Sequence, residues 1–280
     1  MTGLTTVSGD PITIGVGSGS SVKDLKRKDP SEENKKLITD VIKFAIHNGF
    51  NHIDTAEAYT TQPEVGDAIK GFPREKLWIT TKYVVSSTYF QKKSFTPTDF
   101  IKQSFEELGT DYIDLFLIHV PPKDESLYTL ESLWEEFIEI QKTGKVRYIG
   151  VSNHNVDHLK RILSVSQKHG VFPIANQIKY YVGSEHKDIV KFSKENNILI
   201  EAYGPLTPLR APTPNSELDA ILVDLEKKYN ATKAQILLRA LIDQGILPIT
   251  ASFKNYRLEE AIQTYKFELE PEDIKRLESI

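Results

Sequence analysis

Four residues suited to placing a proton on oxygen lie in the first half of the chain: Asp54, Tyr59, Lys82 and His119. Short apolar or β-branched runs lead into three of them, at His52–Asp54, Leu77–Thr81 and Asp114–His119, and Tyr59 follows the first run by five residues. A phenol has a pKa of about 10 and is a poor acid at neutral pH. A nearby cation stabilises the phenolate and lowers that value. Lys82 can supply the charge, Asp54 can hold the ammonium and keep it protonated where burial would discharge it, and His119 can donate to or orient a substrate oxygen. Such a set suits an oxygen that gains negative charge, and therefore carbonyl reduction. Each residue alone has an ordinary structural use: a turn cap for Asp54, half-buried packing for Tyr59 among 12 tyrosines, a surface ammonium for Lys82, a hydrogen-bonded core imidazole for His119. Four polar groups at the ends of three successive strands are hard to assign to packing.

The elements that must position them alternate along the chain. Strand-like runs occur at Ile12–Val16, His52–Asp54, Leu77–Thr81, Asp114–His119, Val146–Val151, Ala175–Ile178, Leu199–Tyr203 and Leu247–Thr250. Most are continuously apolar, as parallel strands covered on both faces are. Between them lie helical patterns at Glu32–Asn48, Thr98–Leu108, Leu130–Lys142, Val156–His169, Lys187–Asn196, Glu217–Tyr229, Lys233–Gln244 and Arg257–Thr264; Gly144 and Gly170 stand just past two of the ends. Eight such repeats allow an open doubly wound sheet or a closed barrel. An open sheet binding a dinucleotide calls for G-x-G-x-x-G opening a helix. Gly15-Val-Gly17-Ser-Gly19 has the wrong third spacing, and the polar stretch Ser20–Glu33 follows it in place of a helix. The expectation is a single α/β domain over 1–280, a (β/α)8 TIM barrel with a short N-terminal β-hairpin or strand, with its site at the C-terminal strand ends.

Composition narrows the function classes. With 35 basic and 39 acidic residues the net charge is −4, which gives no footprint for nucleic acid. The mixed-sign run Lys23–Lys28 is simplest as a solvated loop. No cysteine is present, so disulfides, zinc thiolates and thiol catalysis are excluded. No run reaches the ~18 apolar residues of a membrane span, and Met1–Asp10 lacks the apolar core of a signal peptide. A cytoplasmic protein is expected, with no membrane partner and no metal, as a monomer or weak homo-oligomer.

At these residues the sequence resembles the aldo-keto reductase family. The resemblance is carried by Gly49-Phe-Asn-His-Ile-Asp54-Thr-Ala-Glu-Ala-Tyr59, Ile79-Thr-Thr-Lys82, Ile113-Asp-Leu-Phe-Leu-Ile-His119-Val-Pro121, Gly144-Lys-Val-Arg-Tyr-Ile-Gly-Val-Ser152-Asn153, Asn176-Gln177 and Glu201-Ala-Tyr203-Gly-Pro205-Leu206. It implies NADPH as cofactor, bound without a Rossmann domain, with Asp54, Tyr59, Lys82 and His119 as the catalytic four. It also implies that Ser152, Asn153 and Gln177 hold the nicotinamide amide, that Tyr203 stacks on its ring, and that Gly19, Ser20, Pro205, Leu206 and Leu209 contact the cofactor. Many family members carry Pro-Lys-Ser at the last strand; here Ala251 takes the lysine position, leaving Ser252, Lys254, Arg257 and Glu260 for the 2′-phosphate end. A helix start with these cations is a credible phosphate site; the plainer alternative is that Lys254 and Arg257 only decorate that helix.

The details are most similar to a fungal subgroup, the conjugated polyketone, ketopantoyl-lactone and α-keto amide reductases. A tryptophan common near the first strand in that subgroup is missing, with Ser21-Val22 near its place. The chain stops at Ile280 soon after the helical stretch Glu272–Leu277, so an open pocket is expected, with the loop Tyr83–Thr96 as its apolar wall. Thr207–Ser216 either folds over the pyrophosphate or is a stiff connector. The implied substrate is a small activated ketone: an α-keto ester, keto lactone or diketone. Two alternatives remain: a sugar or alcohol dehydrogenase of the same family, and a non-catalytic NADPH-binding barrel serving as a regulatory subunit.

Overall fold

The computed structural model describes residues 3–85, 96–211 and 215–280. Eight parallel strands close in sequential order: β1 (Gly15–Gly17), β2 (His52–Asp54), β3 (Trp78–Tyr83), β4 (Ile113–Ile118), β5 (Val146–Ser152), β6 (Ala175–Lys179), β7 (Leu199–Tyr203) and β8 (Leu247–Thr250). The ring shuts where β8 meets β1, with Gly15 opposite Ile249 and Val16 opposite Thr250. The expected (β/α)8 barrel is therefore the fold. Its N-terminal hairpin is reduced to one antiparallel bridge between Thr5 and Pro11.

The helices are α1 (Ser21–Lys28), α2 (Glu32–His47), α3 (Gln62–Ile69), α4 (Pro97–Leu108), α5 (Leu130–Lys142), α6 (Val156–His169), α7 (Lys187–Glu195), α8 (Ser216–Tyr229), α9 (Lys233–Asp243), α10 (Asn255–Ile262) and α11 (Pro271–Glu278). Side chains fix where several begin. Ser31, Thr96 and Thr129 accept backbone N–H groups at the starts of α2, α4 and α5, and Asn155–His158 and Thr232–Gln235 form reciprocal capping boxes on α6 and α9. None of the helices among the described residues is long and apolar enough to cross a membrane.

Two layers of apolar packing hold the barrel. Outside the strands, Phe116 of β4 stacks on Phe137 of α5 with ring centres 4.2 Å apart, within a continuous helix–strand core. Inside, Ile12, Trp78, Leu115, Leu117, Ala175 and Leu247 plug the lower half. Buried Asp114 ties three strands at that end, accepting from Arg74 at 2.7 Å, Arg147 at 2.6 Å and the Ile79 amide at 2.9 Å.

Three local expectations need correction. β1 begins at Gly15 rather than Ile12, because the Thr13 amide is taken by the Asn51 side chain at 2.8 Å instead of a strand partner. The run Lys23–Lys28 is helical, not a solvated loop. Val22 is buried, Lys26 reaches both Thr60 O at 2.6 Å and Glu64 at 2.7 Å, and Arg27 donates to Ala58 O. These long-range anchors compensate for the few apolar residues of α1. The short helix α3 was not expected; its Val65, Ala68 and Ile69 are buried.

Helix α3 reaches α4 through Gly66. A Cβ built there would stand 2.3 Å from Glu107 O and 3.0 Å from Leu108 Cα, both rigid backbone atoms. Gly66→Ala is expected to cost about 1–3 kcal/mol by overpacking, a fall in Tm of several degrees. Differential scanning calorimetry checks it; an unchanged Tm would mean that the two helices can part at no cost.

Candidate active site

Asp54 is the last residue of β2, Lys82 lies near the end of β3, His119 follows β4, Ser152 ends β5, Gln177 sits in β6 and Tyr203 ends β7. Tyr59 stands not in open loop but on one turn of 3-10 helix, Glu57–Tyr59, whose closing residue Thr60 has φ 60°. The sequence-predicted four come together at one mouth. Lys82 Nζ donates to Asp54 Oδ2 at 2.6 Å and Thr55 O at 2.9 Å, and lies 3.5 Å from the Tyr59 hydroxyl. The His119 ring meets the Tyr59 ring edge-on, centres 5.5 Å apart.

Lys82 is completely buried, behind Tyr59. Burial opposes its charge, yet Asp54 and then Tyr59 outweigh that and hold its pKa above the ordinary lysine value. Tyr59 departs from expectation. Burial raises its pKa, and Lys82 only partly offsets this, so the resting phenol is less acidic than a free one. His119 is pushed down to about 3, first by burial and then by Lys82 and Lys23, and is neutral. Its Nδ1 is buried without a partner. The tautomer carrying the proton on Nε2 avoids burying an unmatched N–H at Nδ1.

A cavity of about 280 Å³ opens on these groups, lined among others by Gly19, Ser20, Asp54, Tyr59, His119, Ser152, Asn153, Gln177, Tyr203, Pro205 and Leu206. Gln177 has a defined orientation, because its Nε2 donates at 2.8 Å to both Asp54 Oδ2 and Glu201 Oε2. Only the amide nitrogen can serve two carboxylates, so Oε1 is left as an acceptor. Asn153, at φ 63°, spends its amide on His119 O and Ser152 Oγ, and its Oδ1 accepts from the Tyr203 hydroxyl at 2.9 Å. Acceptor oxygens beside an aromatic ring fit a flat carboxamide-bearing heterocycle.

A second cavity of about 340 Å³ shares Leu206, Arg210, Thr250 and Ala251 with the first and is also lined by Leu209, Ser252, Tyr256, Arg257 and Glu260. Together they form a continuous strip along β7 and β8, with Arg210 in both. The residues present fit an extended dinucleotide. Lys254 is the exception among the expected contacts. It is the exposed residue before α10 and lines neither cavity; its backbone amide donates to Ser252 Oγ at 3.0 Å. Glu260 is on the wall, with its carboxylate bonded to Thr232. Thr207 and Arg210 lie in the segment Thr207–Ser216 expected either over the pyrophosphate or as a connector, and both line the first cavity; sequence reasoning missed Lys23, which only the chain's path brings to that cavity. It also gave no role to Glu201, whose signal was an acid inside an otherwise apolar strand. Of the loop Tyr83–Thr96, residues 86–95 lie outside the described residues, as do 212–214 of Thr207–Ser216; the stretch Thr207–Arg210 is a 3-10 turn.

Fold and site together define a (β/α)8 barrel with a phenol–ammonium–carboxylate–imidazole cluster at its C-terminal mouth. Residues 13–280 match the model of the aldo/keto reductase family, and the chain belongs to that family. It is 34% identical over 271 residues to the NADPH-dependent alpha-keto amide reductase of Saccharomyces cerevisiae, covering 94% of this chain and 84% of that protein. It is 35% identical over 260 residues to the NAD/NADP-dependent indole-3-acetaldehyde reductase of Schizosaccharomyces pombe, covering 90% and 87%. Among solved structures, a Bombyx mori aldo-keto reductase in complex with NADP superposes with a TM-score of 0.79 at 28% identity, covering 99% of this chain and 91% of that one.

Beneath the site, Glu201 is fully buried and its Oε1 has no hydrogen-bond partner. Burial raises its pKa to about 7. The folded chain thus holds this proton more tightly than the unfolded one, whose Glu titrates near 4.5. The associated stability is full below about pH 4.5 and is lost as pH rises through about 7. Glu201→Gln, which keeps an acceptor for Gln177, is expected to match wild type at pH 4 and to exceed it by about 3 kcal/mol at pH 8. Urea melts across that range check it; a constant difference at all pH values would show that Glu201 does not titrate there.

Proposed function

We propose that the protein reduces ketones or aldehydes to alcohols with NADPH, taking small activated ketones such as α-keto esters, keto lactones and diketones, with Tyr59 as the proton donor. The observation that carries this is the buried Asp54–Lys82 pair ending 3.5 Å from the Tyr59 hydroxyl. When bound, the reduced nicotinamide supplies the hydride. The protein supplies placement and charge.

A carbonyl oxygen held by the Tyr59 hydroxyl and the neutral His119 ring gains negative charge as its carbon is reduced. Tyr59 starts protonated, because burial raises its pKa. As its proton passes to the oxygen, a phenolate forms beside a permanently charged Lys82, and the ammonium stabilises that phenolate. The cation therefore acts on the product of proton transfer rather than by making the resting phenol acidic. Gln177, Asn153 and Tyr203 would hold the nicotinamide, with Gln177 Oε1 and Asn153 Oδ1 available as acceptors for its carboxamide. Arg210, Ser252 and Arg257, which line the cavity along β8, would take the phosphates. An adjacent electron-withdrawing carbonyl eases reduction, so an open pocket suffices.

Tyr59→Phe should lower kcat for an α-keto ester by roughly 10²–10⁴-fold, read as NADPH absorbance decay. Full activity in that variant would exclude the phenol as acid. Arg257→Ala should raise KM for NADPH more than for NADH, narrowing the preference about tenfold for one lost charged hydrogen bond. Lys254→Ala should change the preference little. The opposite pattern would place the 2′-phosphate at Lys254.

A further inference from the structure

Lys23 stands apart from the other cations of its helix. Lys26 is paired with Glu64, and Arg27 donates to Ala58 O. Lys23, on the same eight-residue helix, is half-buried, lines the main cavity and has no hydrogen bond or ion pair among the described residues. Its ammonium lies 5.5 Å from the centre of the Tyr59 ring. The one carboxylate lining that cavity among the described residues, Asp54, is already bound to Lys82 and Gln177. An unmatched cation therefore faces the space in front of the phenol.

The position of that charge separates two uses. Lys23 feels Arg27, Asp24 and Lys82 electrostatically, and His119 feels Lys23. Lys23 borders the cavity in front of Tyr59 but not the one along β8 that holds Ser252 and Arg257. The ammonium belongs to the substrate side of the mouth. Burial and then Arg27 lower its pKa more than neighbouring Asp24 raises it, and no carboxylate among the described residues pairs with the ammonium.

We propose that Lys23 is a specificity-determining residue that binds the carboxylate of 2-oxo acids, making anionic α-keto compounds the preferred substrates within the reductase reading above, on which this rests. The ketone oxygen rests on Tyr59 and His119, and the carboxylate, one bond from the carbonyl carbon, meets the ammonium on its flexible stem. Reduction adds a hydride from the reduced cofactor to C2 and the Tyr59 proton to the oxygen. The product is a 2-hydroxy acid with its carboxylate unchanged, beside the oxidised cofactor; solvent then restores the phenol proton. The small side chains Gly19, Ser20 and Ser21 on the same rim leave the ammonium unobstructed.

The test compares 2-oxo-4-phenylbutyrate with its ethyl ester on wild type, Lys23→Met, which keeps the stem, and Lys23→Arg, which keeps the charge. The expected result is a fall of about tenfold or more in the acid-to-ester ratio of kcat/KM for Lys23→Met, the size of one lost charged hydrogen bond. It should act through KM, with partial recovery in Lys23→Arg. A second readout is free of turnover: oxamate should raise the Tm of the NADP⁺-loaded wild type and fail to do so in Lys23→Met. An unchanged ratio, or equal losses on acid and ester together with a raised KM for NADPH, overturns the proposal; the latter assigns the ammonium to the pyrophosphate. If wild type reduces neither compound nor any other activated ketone, the underlying reductase reading fails instead.

Discussion

A fully buried ammonium is the constraint around which the mouth of this barrel is built. Lys82 has no solvent to share its charge, and an unpaired buried cation costs several kcal/mol. The chain meets that demand with Asp54 and Thr55 O. Asp54 in turn binds Gln177, and Gln177 binds Glu201, so one charge dictates the orientation of side chains on four strands, β2, β3, β6 and β7. The ion pair adds little net stability by itself. It keeps a cation, rather than a neutral amine, beside a phenol whose burial would otherwise make proton loss harder.

The interior is graded in polarity from bottom to top. The apolar plug of Trp78, Leu115, Leu117, Ala175 and Leu247 closes the lower end. Above it lies a buried polar layer: His52, held neutral with a pKa of about 4 by burial, meets Thr80 at 3.0 Å, and its other ring nitrogen has no protein partner. Glu201 stands 4.0 Å from His52 in the same layer with its own orphaned oxygen. Unsatisfied buried atoms are rare in proteins and carry a cost. Here they lie directly under the reactive cluster, where an apolar filling would leave Gln177 without its second carboxylate and its amide free to turn.

What could be read from the sequence follows from where each signal is stored. Strands covered on both faces print as continuous apolar runs, so all eight strands, and with them the ends that carry Asp54, Lys82 and His119, were legible. Helices α1 and α3 were not. Each has only eight residues and few apolar positions, and α1 is anchored through Glu64 and the carbonyls of Ala58 and Thr60, more than thirty positions away. Lys254, near the expected phosphate end along the chain, lines neither cavity, while Arg210, inside the segment Thr207–Ser216, borders both from a 3-10 turn. The acidity of Tyr59 was misjudged because a sequence shows the cation but not the desolvation that outweighs it.

A Cβ at Gly19 would lie 2.8 Å from two carbons of the Tyr59 ring, so backbone packs directly on the phenol there. Lys82 approaches the same ring at 4.9 Å from its centre, and His119 meets it edge-on. Any side chain at position 19 would push the hydroxyl away from the ammonium that must stabilise its anion. Glycine at that point holds the phenol in register with Lys82. The space this leaves in front of Tyr59 is bordered by Ser20, Ser21 and the unpaired Lys23, so the contact that fixes the acid also gives the rim a polar, cationic character.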